Sequence, residues 1–357
     1  MKKRIVSAAV CVVVLSVSTY AQATDFFELV KTGSPQAIQA AIDKGADVRA
    51  QDINHATPLE LAAQYNRDPR AIAVLVKAGA DLNARDVNGC TPLLIVLEGT
   101  EMLPEVVMAL VQAGADVNAV DNNSYTSLIL ALGKSYPSGV ITALVKAGAD
   151  VKASPTDAPL VSALGNTYPP EVIAALLQAG ANVNDPNPNG MTPLMSALMH
   201  NQPQDVVSTL MQAGADVKVL THDGLSSLML AAADDHSPEV IAMLVKAGVE
   251  VNARDPSGLT PLLYAVSWGA MLNQVPEVIL ELMKSGADVN AADPDGATAL
   301  MYAANGANAE VLIPAFLKAG ANAKVKDKNG KTALDYAQAN EKLKGTDALR
   351  RLQSASR

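Results

Sequence analysis

Cysteine is almost missing from this chain of 357 residues: there are only Cys11 and Cys90. Cys11 falls in an N-terminal segment read below as a removable leader, so the remaining chain can form no internal disulfide. Cys90 is then either a tolerated small residue at a turn edge or a thiol open to oxidation or to an intermolecular bond. Aromatic side chains are also scarce, at 3% with a single Trp. The core must therefore be built from Ala, Leu, Val and Ile, which suits small, closely packed helices. His55, His200, His222 and His236 are the only histidines. None has metal-ligand spacing to a second His or Cys. No nucleophile elbow and no phosphate loop is present. The contiguous His222-Asp223-Gly224-Leu225-Ser226 does not make a triad, because neighbours on a turn do not point at one another. Acidic turns such as Asp293-Pro294-Asp295-Gly296 lack the length and the bidentate Glu of a calcium loop. No cofactor, metal or catalytic residue is expected.

Long apolar runs are missing too, apart from one. Ile5 to Val17 follows Lys2, Lys3 and Arg4 and precedes Ala21-Gln22-Ala23, a small-x-small cleavage pattern. A basic start, a short apolar run and that pattern describe a secretory signal peptide over residues 1–23, with the mature chain starting at Thr24. An uncleaved anchor is the competing reading, and the run is short for one. Without the leader the chain carries 24 basic and 36 acidic residues. The excess is uneven: Lys318 to Arg357 has ten basic against four acidic residues, so residues 24–317 carry a net −18. An acidic array of that length disfavours nucleic acid as a partner.

What the chain has in quantity is repetition. Lys77 to Leu93 reads Lys-Ala-Gly-Ala-Asp-Leu-Asn-Ala-Arg-Asp-Val-Asn-Gly-Cys-Thr-Pro-Leu and recurs with changes almost to the C-terminus. A Gly ends one helix, an Asp/Asn-rich stretch with Asn88-Gly89 makes a tight turn, and Thr91-Pro92 starts the next helix. The closing glycines are Gly45, Gly79, Gly114, Gly148, Gly180, Gly214, Gly248, Gly286 and Gly320, separated by 34, 35, 34, 32, 34, 34, 38 and 34 residues. Within each period a second helix is amphipathic. In Pro238 to Gly248, Val240, Ile241, Leu244 and Val245 share a face, with Glu239 near the helix start and Lys246 near its end. Pro314 falls inside one such helix, where it should bend or delay it.

This array resembles the ankyrin repeat, a turn plus two helices with the signature T-P-L-H-x-A. The resemblance implies an all-α solenoid of about ten helix-turn-helix units with β-hairpin-like turns. Residues 24–56 form the N-terminal capping repeat, 57–331 the array and 332–357 the C-terminal capping repeat. The His of the signature is absent; Glu60, Leu94, Ile129, Val161, Met195, Met229, Leu263, Met301 and Asp335 stand in its place. Apolar packing should replace its hydrogen bonds between repeats. Glu60, three residues after Thr57, suggests a capping box. Two repeats depart in length. Between Gly148 and Gly180 the hairpin has lost two residues, and Ala158 stands where the capping Thr should be. Between Gly248 and Gly286 the loop joining the two helices, roughly Ser267 to Val275, should be four residues longer and carries Trp268.

The resemblance implies a non-enzymatic protein-recognition scaffold. An enzyme or metal carrier grafted on the array is the alternative, and it would need His200, His222 and His236 to converge with carboxylates. Carried over position by position, the partner-binding residues are Tyr65, His200 and Trp268 after the first helix, and Tyr125, Met191, Leu225 and Leu259 before the Thr. Cys90 holds that last position in its own repeat, and Ile53, Val87, Asn122, Asn123, His222 and Asp295 stand at hairpin tips. The partner is expected to be a protein of the cell envelope or beyond, in the periplasm of a Gram-negative bacterium or secreted. The scaffold is expected to be a monomer, with no nucleic-acid partner and no membrane insertion after cleavage. An immunity-type or protective partner of a periplasmic enzyme, as in oxidative-stress defence, or an effector acting on a host protein, are special cases.

Overall fold

The computed structural model describes residues 25–152, 158–233, 236–272 and 276–357, the side chains of 268–272 excepted. Among the described residues ten helix pairs follow one another. The first opens with residues 25–32 and Pro35–Asp43. The inner helices of repeats two to five are Pro58–Tyr65, Pro92–Glu98, Ser127–Gly133 and Pro159–Gly165. Those of repeats six to ten are Pro193–Met199, Ser227–Ala233, Pro261–Leu272, Ala299–Asn305 and Ala333–Ala339. Each is followed by an outer helix, for example Pro69–Lys77, Pro238–Lys246 and, at the end, Asp347–Ala355. The chain divides into two contact units, residues 1–166 with 178–181, and 167–177 with 182–357.

Helix starts follow the local chemistry. Thr57, Thr91, Thr126 and Thr192 sit in extended backbone and accept from the N–H three residues on, so each hydroxyl satisfies a free helical donor. Ala158 offers no such oxygen, and its helix starts without a side-chain cap. Gly79, at φ +93°, closes its helix in the left-handed region that a side chain would strain. The hairpins form few strand pairings: the isolated bridges among the described residues are Val120 with Thr126 and Ala292 with Thr298.

Within the first unit the inner helix Pro58–Tyr65 packs on Pro92–Glu98, which packs on Ser127–Gly133, and that on Pro159–Gly165. Within the second, Pro193–Met199 begins the same succession through to Ala333–Ala339. The core is Leu, Ile, Val and Ala, with Leu93, Leu94, Leu128, Leu194, Leu228 and Leu300 at 2% exposure or less. Leu94, Met195, Met229, Leu263 and Met301, at the position of the missing His, are buried among them. Two methionines also act as acceptors: Met229 Sδ takes the N–H of Ser226, and Met301 Sδ that of Thr298, each at 3.4 Å.

Apolar packing is joined by two rows of polar ties that local sequence reading does not reveal. In the first, Asn118 donates from Nδ2 to the Gly148 carbonyl and accepts from the Asp150 N–H. Asn184 does the same with Gly214 and Asp216, Asn252 with Gly286 and Asp288, and Asn290 with Gly320 and Asn322. The caps left open by one repeat are thus closed by the repeat before it. In the second row, residues just past the inner helix reach back one repeat. Asn66 donates to the carbonyls of Val30 and Gly33, Tyr136 to that of Val96, and Asn340 to those of Ala304 and Gly306.

Two expectations about length and helix interruption are corrected. The added residues of repeat eight do not make a loop starting at Ser267; they extend the inner helix to twelve residues, Pro261–Leu272. Trp268 therefore lies on a helix, in an apolar segment without Gly or Pro until Gly269, and its side chain is outside the described residues. Pro314 does not delay its helix. Ala309–Lys318 runs through it for ten residues, with its neighbours Ile313 and Phe316 fully buried. That packing compensates for one lost backbone hydrogen bond. The shortened hairpin, Ser154-Pro155-Thr156-Asp157, lies outside the described residues.

Candidate functional site: an acidic groove in repeats two and three

A groove in the first unit lies between the inner helices Pro58–Tyr65 and Pro92–Glu98. It has a volume of about 580 Å³ and is lined by Glu60, Tyr65, Asp86, Ile95, Glu98 and Glu101 among others. Its acidic side chains arrive by separate local rules. Glu60 is the third residue of its helix, and its Oε2 accepts from the Thr57 N–H while Thr57 Oγ1 accepts from the Glu60 N–H. This is the capping box, and it pins the carboxylate inward. Asp86 opens the hairpin, where its Oδ1 accepts from the N–H groups of Asn88 and Cys90, both at 2.8 Å. Glu98 ends its helix and accepts from the Cys90 thiol at 3.5 Å. Glu101 is taken by Arg67, with Nη2 to Oε1 at 2.5 Å and Nε to Oε2 at 3.1 Å.

The charge balance of the groove is one-sided. Glu60 is 2% exposed, and its Oε1 has no hydrogen-bond partner. Burial pushes its carboxyl above the usual range, the Thr57 hydrogen bonds oppose the shift, and the charges of Asp86 and Asp52 add to it. Burial likewise raises Glu98, with Asp121 and Asp86 contributing. Of the lining residues Arg67 is the cation, and it is engaged by Glu101, while Lys134 beside the groove donates to the carbonyls of Glu98 and Gly99.

Cys90 belongs to the same neighbourhood. It is buried at 2% exposure against Leu94 and Ala119, so the position before the Thr is not presented to solvent in this repeat. Burial, then Glu98, Asp86 and Asp121, push its thiol up to about 12. A protonated, enclosed thiol is a poor nucleophile, and the reading of Cys90 as an oxidation-sensitive thiol is not supported. Cys90, Glu98 and Asp121 bring ligand atoms within 4.8 Å of one another, the only such group among the described residues. Asp121 is already committed: it accepts from the N–H groups of Asn123 and Tyr125 and from the Asn123 amide. A metal would have only the thiol and Glu98 as free donors, and the thiol would first have to lose a tightly held proton.

The residues singled out from the sequence are spread over both units. In the first, Tyr65 is 51% exposed at the groove, with Lys31 Nζ 5.7 Å from its ring centroid, and Tyr125 is 40% exposed. In the second, Met191, Leu225 and Leu259 are half-buried before their Thr or Ser, and His200 is exposed with Nδ1 2.8 Å from the Ser196 carbonyl oxygen. His236 is buried, with Nε2 2.7 Å from the Leu198 carbonyl oxygen, where Asn66, Tyr136 and Asn340 stand in other repeats. His222 lies over the preceding hairpin, at the place a side chain on Gly190 would occupy. The histidines form no metal-ligating group with carboxylates among the described residues.

Two features escaped the sequence reading. One is the unpartnered Glu60 oxygen, which depends on packing rather than on spacing. The other is a phenol that holds the hairpin carboxylate in the last repeats. Tyr264 donates to Asp255 and Tyr302 to Asp293, both at 2.7 Å, and Tyr336 donates to Asp327 at 2.5 Å. The signal was present, since each Tyr stands nine residues after its Asp.

A family model described as ankyrin repeats (3 copies) matches residues 61–155, 138–221, 205–293 and 268–354. No curated protein matches the chain. No helix among the described residues is long and apolar enough to cross a membrane. Proteins of this family generally mediate protein–protein interaction. With the repeated helix pairs, the capped inner helices and a match running from residue 61 to residue 354, this chain belongs to the ankyrin-repeat family.

Proposed function

We propose that this protein is an exported, non-enzymatic scaffold that binds a protein partner of the cell envelope through its hairpin tips and inner-helix face. The observation that carries the reading is the set of large apolar side chains left out of the core there. In the first unit Ile53 is 83% exposed, Val87 70% and Tyr65 51%, at hairpin tips and at the end of an inner helix. The hairpin residue Leu220, at 55%, extends the pattern to the second unit. Packing does not require any of them, and exposed aromatic and aliphatic side chains on a rigid frame suit partner contact. Export is supported by Lys2 to Ala23, which has the order of a signal peptide. The same reading has the protein act in the periplasm as a monomer, with no nucleic-acid partner and no membrane segment kept after cleavage. The leader supports the location and the acidic array disfavours nucleic acid.

The test is cross-linking and capture in an envelope fraction with the mature chain, beside a variant carrying Ile53→Ser, Val87→Ser and Tyr65→Ser. A partner captured by the first and lost by the second, at unchanged thermal stability, supports the reading. Equal capture by both counts against these surfaces. N-terminal sequencing should find Thr24, and an intact Met1 in the cytoplasm would defeat the export claim.

A further inference from the structure

The groove of repeats two and three is more specific than a generic docking face. We infer that it receives an arginine side chain of the protein partner, with the guanidinium set against Asp86 and Glu98 in the field of the buried Glu60 and its stem against Tyr65 and Ile95. The inference rests on the scaffold reading for the existence of a partner and on the groove alone for its chemistry.

Four observations lead to it. First, four carboxylates line the groove, and the cations beside it are already engaged: Arg67 by Glu101, Lys31 by Glu28, and Lys134 by the carbonyls of Glu98 and Gly99. Second, Glu60 is 98% buried, and Oε1 has no hydrogen-bond partner. A buried carboxylate oxygen without a donor is costly, and a cation arriving nearby would offset that cost. Its field reaches into the groove without direct contact, because the surrounding helices have a low dielectric. Third, the groove has room for an extended side chain, whereas a single ion would leave most of about 580 Å³ unfilled. Moreover, Glu60 and Asp86 are not among the residues whose ligand atoms come together. Fourth, Ile95 and the exposed Tyr65 ring, over which Lys31 already stands, offer apolar surface for a methylene stem. A guanidinium has five donors in a fixed fork, which suits carboxylates arriving from several directions better than an ammonium does.

The experiment titrates the mature full chain with acetyl-Gly-Gly-Arg-Gly-Gly-amide and follows backbone amide signals by NMR. Expected are saturable shifts at Gln64, Tyr65 and Thr100, which border the groove. The same peptide with citrulline in place of Arg should give none, and the Lys peptide should bind more weakly. Glu60→Gln and Glu98→Gln should each weaken the Arg peptide by about tenfold. Gln at position 60 keeps a capping side chain, so the helix start survives, and a thermal melt of each variant confirms folding. Asp43→Asn, an exposed acid in the outer helix of repeat one, makes the same charge change and should leave binding unaltered.

Equal weakening by Asp43→Asn would reduce the effect to diffuse charge and overturn the inference. So would equal binding of the citrulline peptide, or calcium chloride reproducing the shifts and competing with Arg. The scaffold reading fails separately. An envelope partner captured undiminished by Glu60→Gln and Glu98→Gln would defeat the arginine site and leave the scaffold standing. Arg binding in the groove with no partner captured would do the reverse.

Discussion

Glu60 carries a burial cost, and the cost is titratable. Its folded-state carboxyl is raised by burial and by Asp86 and Asp52. A carboxyl raised on folding stabilises the fold when protonated, and that stability is lost as pH rises through the folded value. Lowering the pH from 7 toward the raised value should therefore return stability through this residue. Glu60→Gln should add about 1 kcal/mol at pH 7, read by denaturant unfolding, and the gain should vanish in the ordinary carboxylate range. A loss at pH 7 would mean that the capping hydrogen bonds outweigh the burial. For Cys90, with its thiol pushed up to about 12 and its side chain enclosed, iodoacetamide at pH 8 should label the native chain slowly and the denatured chain fast. Rapid native labelling would contradict the enclosed geometry. The capping role of Glu60 was legible from its spacing to Thr57, because that contact spans three residues. The unpartnered oxygen was not, because it depends on how the neighbouring repeats pack over Glu60. Nor was the burial of Cys90, which Ala119 of the following repeat covers.

Among the elements, the hairpin asparagines set how one repeat seats on the next. Their local function was readable, since Asx side chains steady turns. Their second bond spans about thirty residues, for example 30 from Asn118 to Gly148, and no local rule reports it. Asn118→Ala removes two such bonds at an exposed site and should cost about 1–2 kcal/mol. A neutral result in urea unfolding would show that water replaces the tie without loss. Lys218 holds the same position in repeat six, its N–H bound by Asp216 just as Asn118 is bound by Asp116, and its stem lies beside Gly248. Lys218→Asn should restore the tie and raise stability by about 0.5–1.5 kcal/mol. The helix Pro261–Leu272 illustrates the opposite limit. Its apolar, Gly-poor sequence favours helix, but the repeat period argued for a loop, and the period says where extra residues fall, not what they form.

At the scale of the molecule, the family was legible because nine glycines repeat at near-constant spacing, while the partner was not, because binding residues are the ones the repeat leaves free to vary. Coupling in such arrays is nearest-neighbour. Leu228, fully buried in the second unit, should cost about 2–5 kcal/mol when cut to Ala. Hydrogen exchange should show faster opening near repeat seven and unchanged amides in residues 25–152. Uniform loosening of the whole chain would contradict that picture. The asparagine ties have one more consequence, for length. The Asn252 tie spans 34 residues to Gly286 and the Asn118 tie 30 to Gly148, so the tie reads where the closing glycine sits in space and not how many residues lie between. The chain has accepted its one large addition inside such a span, at the end of Pro261–Leu272, with both bonds of Asn252 kept. A tag, an epitope or a whole guest domain introduced after Leu272 should therefore be carried without disturbing the stack, whereas the same insert after Asn290 should uncouple repeats eight and nine.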